Sequence, residues 1–160
     1  MDPELCRQHL AELLGEEISL LGELHRLLGE EHELIAAAQP EALQRTTRAR
    51  QERLGALARI EEQRRSLCSL HGHSSDREGL ERLRRWCDPR GTLTASLKDC
   101  TALAIRCRDL NDRNGIMVAA KMKRVSELLQ ALTGRTAGAD TYGPRGHAAR
   151  TRGGRINGAV

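Results

Sequence analysis

The chain has no phenylalanine, a single tryptophan (Trp86) and a single tyrosine (Tyr142) among its 160 residues. Aromatic side chains supply much of the core in mixed and all-β domains. A core left to leucine, alanine, isoleucine and valine points to helix packed on helix. No run approaches the roughly 18 consecutive apolar residues of a membrane span. No stretch reads as a strand, so there is no strand from which a glycine-rich phosphate loop could follow. The chain opens on Asp2 and Glu4 with no apolar run behind them, unlike a secretory leader. Five cysteines (Cys6, Cys68, Cys87, Cys100, Cys107) are odd in number and scattered. They make no disulfide framework and fit a reduced, cytoplasmic protein.

What the chain has is charge and leucine periodicity. Charged residues are 30% of the sequence and the formal net charge is +4. That excess lies after Gly134, where five arginines (Arg135, Arg145, Arg150, Arg152, Arg155) face one acid, Asp140. The body is neutral but polarised: Met1 to Glu41 holds ten acids against two arginines, a net of −8. Opposite charges on helices that pack side by side favour one pairing over like-with-like association. Two solvated faces of differing composition would read the same way.

Asp2 followed by Pro3 starts a helix, with a capping carboxylate ahead of proline at the first helical position. Leu13, Leu20, Leu27 and Leu34 recur at seven, as do Leu14, Leu21, Leu28 and Ile35, over a first helix from about Pro3 to Ala38. A strict heptad repeat predicts a left-handed supercoil with a broad apolar face. Gln39-Pro40 ends it, and so short a link predicts an antiparallel second helix, Pro40 to Leu70. The arginines Arg45, Arg48, Arg53 and Arg59 are expected to turn toward the acidic first helix. Ser75 and Glu78 form a capping box for a short helix, Asp76 to Cys87. After the Asp88-Pro89-Arg90-Gly91 turn, a long helix runs from Thr92 to Leu132 and ends at Gly134, a C-cap glycine. The expected fold is all-α, an elongated antiparallel bundle or coiled coil of three long helices and one short one. Its domain is 1–134, followed by a flexible Gly/Arg-rich tail, 135–160, too poor in aliphatics to fold alone.

Enzyme-like constellations are weak. Cys68, His71 and His73 lie within six residues, but no second pair stands at zinc-like spacing, and they read as a solvated loop. His25 and His32 read as surface histidines, and the carboxylates as solvated outer-face groups. Cys100 and Cys107, seven apart, read as small buried thiols. No catalytic group, metal site or cofactor is expected. The tail run Arg150-Thr151-Arg152-Gly153-Gly154-Arg155 resembles segments that bind single strands through backbone charge, but only Tyr142 is there to stack and the body is neutral.

The long last helix carries the functional question. Its apolar stripe turns small and polar at Asn111, Asn114 and Gly115. A dense apolar cluster follows: Ile116, Met117, Val118, Met122, Val125, Leu128, Leu129 and Leu132. Two readings of the break stand. It is a polar layer that fixes register, as a buried asparagine does in coiled coils. Alternatively it is a bend that separates a bundled half from a partner-binding half, with Met117 and Met122 suited to an adaptable helix-binding surface.

These residues bring the chain to a family. Asn111-x-x-Asn114-Gly115, the apolar helix ending Leu128-Leu129-x-x-Leu132-x-Gly134, and Thr141-Tyr142-Gly143-Pro144-x-Gly146 together resemble the FlgN family of flagellar export chaperones. The N-terminal half agrees, with Glu30-Glu31-His32-Glu33-Leu34, a proline link, and Pro40-Glu41-Ala42-Leu43 opening an arginine-rich helix. The resemblance spans about residues 5–146. It implies a cytoplasmic, non-enzymatic chaperone that masks the amphipathic helical ends of flagellar hook-associated proteins, prevents premature assembly and delivers them to the export gate. By position, the client packs on Ile116 to Leu132 and Tyr142 docks at the gate. A generic coiled-coil scaffold or adaptor is the alternative reading, followed by a nucleic-acid-associated helical protein. The apolar face could equally be covered by a second copy of the chain.

Overall fold

The computed structural model describes residues 2–133. Within them the chain is all-α: α1 (Pro3–Ala37), α2 (Pro40–Leu70), α3 (Arg77–Cys87) and α4 (Thr94–Leu132). The chain divides into two units, Met1–Lys123 and Arg124–Val160. The second is described only through the last turns of α4 and Thr133. Tyr142, Gly134 and the basic tail lie outside the described residues.

In the first unit, α1 is the central element. Asp2 accepts from the Glu4 amide at 3.0 Å, and Pro3 opens the helix, so its start is held as the sequence predicts. Of the two heptad rows, Leu14, Leu21, Leu28 and Ile35 are all buried; Leu13 and Leu27 are buried while Leu20 and Leu34 are half-buried. Complete burial of one leucine stabilises by about 1.5–3 kcal/mol, so this helix supplies most of the core.

Three cross-helix ion pairs fix the direction of α2. Glu17 pairs with Arg64 at 2.6 Å, Glu23 with Arg53 at 2.5 Å and Glu31 with Arg50 at 3.1 Å. Partner numbers fall as α1 numbers rise, so α2 is antiparallel. Of the four arginines expected to face α1, Arg53 does, whereas Arg45, Arg48 and Arg59 are exposed. The facing positions are Arg50, Arg53, Ile60, Arg64 and Leu67, which repeat at helical spacing.

The link between these helices is strained. Ala38 lies in the left-handed region (φ 53°), a conformation glycine normally supplies at a helix end. There the Ala38 and Gln39 amides donate back to Ile35 and Leu34.

Two helix starts differ from the sequence reading. Asp76, not Ser75, caps α3, accepting from the Gly79 amide at 2.8 Å. Ser75 instead bonds Ser69, and Glu78 pairs with Arg82. The carboxylate is the stronger acceptor, so the capping box does not form. Gly79 is required by packing: a Cβ there would lie 1.7 Å from the Ser74 carbonyl oxygen. Next, α4 begins at Thr94 rather than Thr92, because Asp88 binds the residues before it. That buried carboxylate accepts from the Thr92 amide and hydroxyl, both at 2.8 Å, and from the Leu93 amide at 2.9 Å. Burial opposes its charge, but these donors outweigh burial and hold Asp88 below the usual carboxylate range.

The long helices make two net reversals, α1 to α2 and α2 to α4, so α4 runs parallel to α1. Cys107 meets Leu21, Asn114 meets Leu28 and Lys121 meets Ile35, each at a separation of 86 residues. A constant difference is the mark of parallel helices in fixed register. This is the expected antiparallel bundle: each long helix runs opposite to the long helix before it, which leaves α1 and α4 parallel.

Candidate functional site

The polar positions of α4 are built into the first unit's seam. Asn114 is 5% exposed, and its Nδ2 donates to the Leu28 carbonyl at 2.9 Å. A carbonyl only accepts, which orients the amide, so Oδ1 must face His32. It takes a bond from His32 Nδ1 at 2.9 Å, which places the histidine's proton on Nδ1. His32 is thus half-buried and partnered, where the sequence reading placed a surface histidine. Proximity in sequence to Glu30, Glu31 and Glu33 gave the opposite impression; the partner is 82 residues away.

One turn further along lies a second set. Glu31 is buried, accepts from the Thr47 hydroxyl at 3.0 Å and is ion-paired with Arg50 Nε at 3.1 Å, though that N–H is not aligned as a hydrogen bond. Arg50 Nη1 then donates to Asn111 Oδ1 at 3.0 Å. Residues of α1, α2 and α4 therefore share one polar layer. Glu31 departs from the expectation that the carboxylates are solvated outer-face groups, because both of its partners come from α2. α4 runs through Gly115 as continuous helix, and a Cβ there would meet nothing within 4 Å.

The seam ends at Lys121. Its Nζ donates to the carbonyls of Ile35 and, at 3.0 Å, Ala36, in the last turn of α1. Those carbonyls belong to the group that a helix end leaves without full intrahelical partners, and the ammonium also meets the negative end of the helix dipole. No basic residue of α1 itself stands in that turn. Lys121 was missed in the sequence because a lysine on a long charged helix carries no signal of its own. Its place in the seven-residue row Cys107, Asn114, Lys121 is the signal that could have found it.

The apolar residues after Gly115 are differently placed. In the first unit Ile116 is 71% exposed, Met122 is 67% exposed, Val118 is exposed and Met117 is half-buried. In the second unit Val125, Leu128 and Leu129 are exposed, and Leu132 is 82% exposed. A soluble surface rarely leaves so many large aliphatics on one helix without use for them.

Chemistry-bearing groups elsewhere are occupied. Cys68, expected in a solvated loop, is buried in the core with Cys6 and Cys87. Burial pushes the Cys6 thiol up to about 12 and Cys100 to about 11, leaving them as inert thiols at neutral pH. His71 packs its ring on Trp86 with centroids 4.9 Å apart. A cleft of about 590 Å³ is lined by Asp2, Glu4, Arg7, Trp86 and Asp88, but Asp2 and Asp88 are engaged as caps and Glu4 with Arg7. Among the described residues no cluster of three or more His, Cys, Asp or Glu could hold a metal ion, and no helix is long and apolar enough to cross a membrane.

The described residues form an all-α body whose long last helix exposes aliphatics. The sequence matches the family model described as FlgN protein over residues 1–150, and the chain belongs to the FlgN family of flagellar export chaperones. Flagellar hook-associated proteins are the kind of partner that membership implies. Neither the curated proteins nor the solved structures contain a match.

Proposed function

We propose that this chain is a cytoplasmic, non-enzymatic chaperone that covers the amphipathic helical end of a hook-associated protein with the exposed face of α4 and delivers it to the flagellar export gate. The observation that carries this reading is the exposure of Ile116, Val118, Met122, Val125, Leu128, Leu129 and Leu132 on a helix that buries Cys100, Cys107 and Asn114. An amphipathic client helix would bury these side chains at positions three and four apart, the pattern of helix-in-groove recognition. The client's own apolar stripe, which otherwise drives premature assembly, would be buried in the same contact. Tyr142 is our choice for gate docking.

Val118→Asp combined with Val125→Asp tests the surface. Both positions are exposed, so circular dichroism should report unchanged helicity while pull-down of a hook-associated client is lost. Retained pull-down would remove the client from this face.

A further inference from the structure

We propose that the groove between α2 and α4 seats an amphipathic helix of a partner protein, one whose flanks carry aspartate and glutamate. It uses none of the aliphatics after Gly115, so it stands apart from the client-binding reading above. The groove has a volume of about 450 Å³. Its floor is Leu21, Leu24 and Leu28 of α1; Leu54 and Leu57 of α2 form one wall and Ala104 of α4 forms the other. Leu54 is 39% exposed and Ala104 is exposed, so the walls are open to incoming side chains. Arg50 Nη1 and Asn111 Oδ1 close one end with a bond of 3.0 Å. Leu57 on α2 and Ala104 on α4 each stand seven residues from that end, a run of about 10 Å. Such a run matches side chains at i, i+3 or i+4, and i+7 of a docked helix.

The rim sets the charge of the occupant. Arg50 on α2 and Arg108 on α4 line the groove, one on each wall, and among the described residues no carboxylate lines it. The Arg108 side chain is 69% exposed, and its contact is with the adjacent Asp109 at 3.3 Å, a surface pair of little strength. Arg50 keeps its ion pair with the buried Glu31 but spends Nη1 on the neutral amide of Asn111. A carboxylate is a stronger acceptor for a guanidinium than an amide oxygen. Asn111 is exposed, so an acid on an incoming helix can take its place. Two cationic rims over one apolar floor suit a helix with acids on both sides of its apolar stripe.

Charge also decides between occupants. The segment 134–160 of this chain carries five arginines against one aspartate, which repeats the sign of the rim. A second copy would offer the exposed aliphatics of α4, but residues 116–132 carry Lys121, Lys123 and Arg124 against Glu127, a net of +2. The acidic leucine helix α1 has the right chemistry, but its stripe is buried in its own fold. The occupant that fits the apolar floor and the cationic rims is therefore a helix of another protein.

The test uses the full chain and two synthetic peptides of about 21 residues, long enough to form helix. Both carry leucine at the a and d positions; one has glutamate at the flanking e and g positions and the other has lysine. Fluorescence anisotropy of the labelled peptides reads binding. The glutamate peptide should bind, and the lysine peptide should bind about tenfold more weakly, with the gap closing as salt rises. Ala104→Trp fills the groove from an exposed position and should abolish binding of the glutamate peptide at unchanged helicity. Arg108→Glu should weaken the glutamate peptide about fivefold and strengthen the lysine peptide. Equal binding of the two peptides, no binding of the glutamate peptide, or full binding to Ala104→Trp would overturn the proposal. Self-association of the chain that Ala104→Trp removes would give the groove to a second copy and overturn it too. The Val118→Asp/Val125→Asp variant separates the two faces: it should keep the glutamate peptide whatever it does to client pull-down. Loss of the peptide in that variant would place it on the exposed α4 face and remove it from the groove.

Discussion

Two sets of aliphatics in this protein have opposite exposure. The α1 row of Leu14, Leu21, Leu28 and Ile35 is buried, while Ile116, Val118, Met122 and Val125 on α4 are exposed. Propensity and hydrophobicity do not separate them. What separates them is the face they occupy: the α1 row is buried against neighbouring helices, while these α4 residues lie off the row of Cys107 and Asn114 that meets α1. Apolar periodicity states that a face needs a cover; it does not state that the chain itself provides one.

The largest effect should come from breaking the covered row. Leu28→Ala removes one of the largest fully buried side chains and should cost about 2–5 kcal/mol in urea-induced unfolding. Ile116→Ala makes a similar change on the exposed row and should stay within about 0.5 kcal/mol of the parent. Equal costs would mean that Ile116 is covered in solution, for example by a second copy, and a concentration series would reveal it. Next in size is the polar layer that joins the three long helices. Glu31→Ala leaves the Thr47 hydroxyl and the Arg50 guanidinium short of an acceptor and should destabilise by about 1–3 kcal/mol. The smallest change should be a gain: Ala38→Gly relieves a left-handed backbone at the end of α1 and should raise stability by roughly 1 kcal/mol. No gain would mean that the added freedom of glycine in the unfolded chain offsets the relief.

How much of this was legible depended on the kind of interaction. The heptads of α1, the proline at the head of α2 and the limits of the helices are local signals, and they placed four helices correctly. The family was legible from short motifs whose order mattered more than their individual specificity. Bonds from side chains to distant backbone left no period to read. His32 was assigned to the surface on the strength of its acidic neighbours, Ser75 was preferred over Asp76 by a motif that a stronger acceptor overrides, and Lys121 was passed over. Helix patterning alone does not fix register, so the pairing of α4 on α1 at a separation of 86 needed the structure. The eight aliphatics after Gly115 stand out in the sequence, and the double aspartate variant tests their use by a client.

The contact of Trp86 with His71 gives the protein a built-in optical probe. The chain has one tryptophan, so its emission arises from a single place, the junction of α2 and α3. A protonated imidazole quenches an adjacent indole. Burial, with help from the charge of the chain's amino terminus, lowers the His71 pKa below its ordinary value, so quenching sets in at a lower pH than it would beside an exposed histidine. At neutral pH the ring is uncharged and the emission is unquenched by it. The acid quench is lost where the two rings part, so the quenched emission at low pH follows the opening of that junction, with no other indole in the chain.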